Sequence, residues 1–291
     1  EDPMTWGAGQ NITWDEVTTG EGEDEVTVRY LWIFNAPASD LCGPLDLSGC
    51  KFLQEVYVQN NALTQVNVSD SAIWELDCSG NRLTELNVSG CGYLMNLVCG
   101  NNQLTALELA DCRRLATVDC SGNQLTALNL SATNALMTLN CENNRLSTLT
   151  FNSTGYPIHV DCSGNQLTEL NTDTMQFTRY LDCSDNQLTS LNVRNCSMLE
   201  TFSCQGNKLK ELNFSSSGKY RALSLTAIGG GYVSYAMERK EDGATTYTVV
   251  ATPVEGSVFQ GEYTNRNCTT MVTTKATIDV TEIDAADDKD Y

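Results

Sequence analysis

A solenoid of short coils, mainly β and with few helices, is the fold class this sequence predicts, and three observations predict it. Seven cysteines, Cys78, Cys99, Cys120, Cys141, Cys162, Cys183 and Cys204, recur every 21 residues without a slip. A column of asparagines, Asn61, Asn81, Asn102, Asn123, Asn144, Asn165, Asn186 and Asn207, runs alongside them. After Phe214 the pattern stops and short strand-like stretches punctuated by glycine take over. A period of this length, held over most of a chain, means that each coil buries its apolar face only by stacking on the next.

The first element is residues 1–40, an acidic segment with 9 Asp or Glu and a single basic residue, Arg29. Within it E-V-T-V-R-Y-L-W-I-F is apolar, β-branched and aromatic, the composition of a strand. Glu25 to Phe34 is therefore expected to add to the sheet as a cap over the open end of the core. The first dozen residues are expected to be flexible. Trp6, Trp14 and Trp32 pack into the cap on this reading, with a ligand-stacking site as the alternative.

Coils occupy residues 41–215, a degenerate first coil from Leu41 to Phe52 and eight complete ones. Laid under one another they read L-x-x-L-D-C-S-G-N-Q-L-T-x-L-N-V-S-x-C-x-x, a leucine-rich repeat in which Cys takes the third apolar position. Alternation in L-D-C-S sends Leu76 and Cys78 inward and leaves Glu75, Asp77 and Ser79 outside, so this piece is a strand. Stacked about 4.8 Å apart, such strands make one long parallel sheet, expected on the concave face. The inward Asn that follows turns the chain and bonds backbone groups that would otherwise be buried unpaired. Leu86, Val88 and Cys91 form the opposite wall, extended because so short a coil leaves little room for a helix.

Beyond the linker S-S-S-G-K, residues 216–281 hold several short strand-like stretches between glycines and charged turns. About 60 residues suffice for a small all-β or β-grasp-like domain. Residues 282–291 form an acidic tail, expected to be disordered.

The coils resemble the internalin type of bacterial leucine-rich repeat, and more closely the subgroup in which a cysteine ladder replaces one leucine column. The resemblance spans roughly Leu41 to Phe214. The stretches G-G-G-Y-V and A-T-P-V-E-G-S-V-F-Q-G-E-Y are similar to the β repeat that follows the leucine-rich region in internalin-like and related gut-bacterial surface proteins. What this implies is a bacterial cell-surface or secreted protein, extracellular, whose concave face binds another macromolecule in adhesion or surface recognition. For the terminal β segment it implies a spacer or adhesive module. The chain opens at Glu1 without a basic and then apolar leader, which fits a mature form with its signal peptide removed.

Thirteen cysteines in 291 residues raise the alternatives of a disulfide framework or a metal site. Side chains of a stacked column point in parallel and seven members cannot all pair, so free thiols are expected. Buried thiols act as small, unreactive hydrophobes. With no C-x-x-C and one histidine, no metal site and no cofactor are expected. A second, broken column holds Cys50, Cys91, Cys112 and Cys196, with Ser71, Thr133, Thr154 and Met175 in the equivalent places. Cys42 and Cys50 lie close together, where a capping disulfide is the alternative to two free thiols, and Cys268 stands alone.

The formal charge of −20 repels phosphate backbones and anionic membranes, which excludes nucleic acid as a partner class. No run of about 18 apolar residues appears, so no membrane insertion is expected. Carboxylates are strung along the ladder instead of converging in a pocket, and His159 is the lone histidine, so no catalytic residues and no enzymatic activity are expected. Outward positions that repeat are scaffold, and those that vary carry specificity. Repeated Asp at the fifth position, Asp77, Asp119, Asp161 and Asp182, makes an acidic stripe that a solvated sheet face would also show. More varied are Tyr57, Trp74, Glu75, His159, Arg179 and Tyr180, residue types that supply interface hot spots. These ten residues form the expected partner-binding face. The expected partner is a host or bacterial surface protein docked on a monomer, with a glycan or a role as envelope spacer as the alternatives.

Overall fold

A computed structural model describes residues 31–193, 195–196 and 198–209 in full. Of the flanking regions it describes the backbone of Asn11–Thr19, Val26–Asn35, Glu211–Phe214, Ser224–Thr226, Gly231–Arg239, Thr245–Pro253, Glu262–Tyr263, Met271–Thr273 and Thr277–Asp279. The expectations for Trp6, the side chain of Trp14, Cys268, the linker and the tail 282–291 lie outside the described residues, as does much of segment 216–281. Two compact units make up the chain, Glu1–Gly155 and Tyr156–Tyr291.

In the first unit Asn11–Thr19 and Val26–Asn35 form an antiparallel pair with a bulge at Thr13/Trp14. Val26–Asn35 then lies parallel to the first coil strand, Ile33 opposite Glu55 and Asn35 opposite Tyr57. Phe34, 1% exposed, lies on that strand opposite Val56. Glu55–Tyr57, Glu75–Asp77, Asn96–Val98, Thr117–Asp119 and Thr138–Asn140 follow in parallel, each displaced by one coil and in strict register. Every one of these strands carries a buried residue between two half-buried ones, as period-two alternation demands.

The opposite wall is extended as well. Cys42–Asp46, Ala62–Asn67 and Glu85–Asn87 make one parallel sheet, and Ala127–Leu130 pairs with Thr148–Phe151. No helix occurs among the described residues. Leucines and valines of both walls meet in an interior where Ile73, Leu76, Leu83, Leu94, Leu97 and Leu104 are fully buried.

The second unit repeats the scheme. His159–Asp161, Tyr180–Asp182 and Thr201–Ser203 run parallel, and Gly231–Arg239 pairs antiparallel with the last of them, Phe202 opposite Met237. Thr245–Pro253 and Thr277–Asp279 continue outward from Gly231–Arg239. On the other wall Ser190–Val193 pairs with Glu211–Phe214, and that strand with Ser224–Thr226.

The asparagine column holds the coils together. Asn102 Nδ2 donates to the carbonyls of Cys78, Cys99 and Gly100 at 3.1, 3.0 and 3.2 Å, while its Oδ1 accepts from Leu83 N at 3.0 Å. One amide thus serves two coils and its own turn, and Asn81, Asn123 and Asn144 repeat the pattern.

The second column is more polar than the ladder, and its side chains have backbone partners. Ser71 Oγ donates to Val68 O, Thr133 Oγ1 to Leu130 O at 2.8 Å, and Cys91 Sγ to Val68 O at 3.1 Å. Thr154 corrects the expected column. It is exposed, and Gly155 is buried in its place, its N–H donating to Asn152 O at 3.2 Å. The Thr154 hydroxyl and amide instead bond Asn152 Oδ1, both at 2.7 Å, which holds the threonine outside. Cys42 and Cys50 are both free thiols, the first exposed and the second half-buried.

Candidate functional site

The cysteine ladder is part of the interior. All seven of its cysteines are thiols outside any disulfide, and each is 0% exposed. Burial pushes the Cys120 thiol up to about 12, and raises Cys78, Cys99, Cys162 and Cys183 as well. A thiol held protonated in this way is a poor nucleophile at neutral pH. No cluster of three metal-ligating side chains occurs among the described residues.

The acidic stripe is half structural. Ser79 donates both N–H and Oγ–H to Asp77 Oδ1, at 3.0 and 2.6 Å, and Ser121 and Ser163 do the same to Asp119 and Asp161. Asp182 accepts from Ser184 N at 2.9 Å. One oxygen of each repeated Asp therefore closes the turn at the strand's end, which explains why Asp and Ser recur together. Burial is the main cause of a raised Asp182 carboxyl pKa, and Asp161, directly opposite it in register, pushes the same way.

The irregular outward residues have other environments. Trp74 is half-buried, and its carbonyl accepts from both Met95 N and Asn96 N, at 3.0 and 3.1 Å. Glu75 Oε2 accepts from Asn96 Nδ2 at 2.6 Å. Tyr57 has its hydroxyl pushed up to about 12, first by burial and then by Glu55, Glu75 and Asp77. In the second unit the rings of His159 and Tyr180 stack at 4.0 Å with 2° between their planes. Arg179 reaches Glu200 at 3.7 Å, an exposed pair.

One column was missed by the sequence reading. The residue preceding the first inward position of each coil includes Phe52, Tyr93, Tyr156, Phe177 and Met198, all exposed at 43–56%. Tyr156 and Phe177 meet edge to face at 5.1 Å, and Arg114 lies over the Tyr93 ring at 5.1 Å. Its signal was in the repeat alignment, one place before a position already recognised. Met95 and Met137, 44% and 50% exposed, continue the apolar surface onto the sheet edge.

Together, the 21-residue coils, the asparagine bonds and the buried sulfur column define a leucine-rich-repeat solenoid with a cysteine ladder. Among solved structures the chain is similar to YopM, a leucine-rich effector protein from Yersinia pestis, at 21% identity and a TM-score of 0.45 over 58% of this chain and 56% of that one. It is also similar to the functional domain of InlJ from Listeria monocytogenes, which includes a cysteine ladder, at 19% identity and a TM-score of 0.31 over 73% and 67%. YopM from Yersinia enterocolitica matches at 21% identity and a TM-score of 0.31, over 60% of this chain and 55% of that one. The chain thus spans little more than half the length of the two Yersinia chains. No protein-family model matches the sequence, and no curated protein is significantly similar to it.

Proposed function

We propose that this is a non-enzymatic, extracellular or cell-surface recognition module that binds a protein partner on the outward face of its cysteine-side sheets. The observation that carries this reading is a division of labour among outward residues. Repeated ones, such as Asp77 with Ser79 and Asp119 with Ser121, commit one carboxylate oxygen and the serine's two donors to the turns. Irregular ones include Met95 and Met137 in the first unit, both exposed, and the half-buried, stacked pair His159 and Tyr180 in the second. Aromatic and methionine side chains in that setting are the types that anchor protein interfaces.

Capture of surface proteins on the immobilised native chain, compared with a Trp74→Ala plus Tyr180→Ala variant, tests the proposal. A partner held by the native chain and lost from the variant, with the melting temperature unchanged, is the expected result. Equal capture by both would sink the site assignment.

A further inference from the structure

In the first unit an apolar column and an acidic column run side by side, and they differ in kind from the rest of the surface. Trp74, Met95, Ala116 and Met137 follow one another, each amide bonded to the preceding member's carbonyl at 2.8–3.0 Å. From Trp74 to Met137 is three coil steps, about 14 Å at the spacing of stacked strands. One place further along each strand stand Glu55, Glu75, Asn96, Thr117 and Thr138, and two places beyond those Tyr57, Asp77, Val98, Asp119 and Asn140. None of these positions holds Lys, Arg or His. Arg114 borders the apolar column on the side away from the carboxylates, over Tyr93.

The carboxylates oppose each other. Glu55 sits in register against Glu75 on neighbouring parallel strands, with Asp77 next along. Like charges directly opposite destabilise a sheet, and their field is felt at Tyr57, whose hydroxyl is held protonated in part by these three groups. Such a face gains most from a partner that brings positive charge beside apolar side chains. A second copy of the chain, at −20, does not.

We infer that the first unit's sheet face docks a cationic, partly apolar polypeptide segment, its apolar side chains on Met95 and Met137 and its Lys or Arg over Glu55, Glu75 and Asp77. This rests on the reading of that face as a protein-docking surface and adds the chemistry of the partner.

The test uses the full chain and three synthetic peptides in which leucine alternates with lysine, with glutamine or with glutamate, measured by titration calorimetry. A Glu55→Gln, Glu75→Gln, Asp77→Asn variant removes charge and keeps the oxygen acceptors that Asn96 and Ser79 use. A Met95→Ala, Met137→Ala variant removes the apolar contact at exposed positions. The lysine peptide is expected to bind about tenfold tighter than the glutamine peptide, with the glutamate peptide weakest. The charge variant should lose that preference, and the methionine variant should bind lysine and glutamine peptides less well. Equal binding of lysine and glutamine peptides overturns the inference. So does lysine-peptide binding that survives the methionine variant, since attraction to any polyanion would explain it. No peptide binding, with native capture of a protein still dependent on Trp74 and Tyr180, overturns the inference and leaves the docking face standing.

Discussion

At Gly122 the backbone passes through φ +60°, and a Cβ built there would lie 2.7 Å from Asn101 Oδ1 of the preceding coil. The same place in successive coils reads Asn60, Gly80, Asn101, Gly122, Asn143, then Gly164, Asp185 and Gly206, every one left-handed. Asn60, Asn101 and Asp185 are each followed by Gly because the side chain folds over the next coil's bare backbone. Gly122→Ala is expected to cost about 1–2 kcal/mol from the left-handed backbone alone, with a further part from Asn101. A double-mutant cycle with Asn101→Gly should recover that further part, and strict additivity in denaturant melts would refute the contact. A second residue-scale expectation concerns Asp182. Its folded carboxyl pKa is raised, so the native state binds more protons than the unfolded state, and stability falls as pH rises from the unfolded value through the folded one. Asp182→Asn keeps the turn acceptor, as Asn140 does for Glu142 N at 3.2 Å. It should stabilise the chain at pH 7 by a few tenths to about 1 kcal/mol, the scale of a like-charge cross-strand pair. The gain should vanish below about pH 4, where carboxylates protonate in either state. A constant difference across that range would mean that charge is not its cause.

Among elements, the strands and the asparagine turn were legible because each obeys a strong local rule. Period-two burial placed Leu76 and Cys78 inside and Asp77 outside, and an inward Asn after an extended stretch has few roles other than bonding backbone. Asn102→Ala strips partners from buried backbone groups of Leu83 and Cys78 and is expected to cost at least about 2 kcal/mol. Gln103→Ala next to it, exposed, should stay within about 0.5 kcal/mol. Matching losses in thermal melts would contradict the bridging role. Thr154 was misplaced because column counting cannot see that Asn152 accepts from it and holds it out. The dual use of Asp77 also escaped, since a turn-closing oxygen and a solvated one look alike in sequence.

On the scale of the molecule, regularity and function separate. A strict 21-residue cysteine step marks an interior of protonated thiols, while D-C-S-G-N returns in alternate coils at 77–81, 119–123 and 161–165, a superperiod of two coils. Both set where irregular side chains emerge. Of the candidate face, Trp74, His159 and Tyr180 were legible as breaks in the repeat, but the exposed Tyr93, Tyr156 and Phe177 were not, because their column also holds Ala72, Arg114 and Ala135 and follows no periodic rule. The most direct test of this division is hydroxyl-radical footprinting of the full chain, free and with a partner recovered on it. Met95, Met137, Tyr93 and Tyr180 are predicted to be oxidised in the free chain and protected in the complex. Unchanged oxidation of these four, with protection appearing instead on the opposite wall around Leu45 and Phe151, would contradict the account.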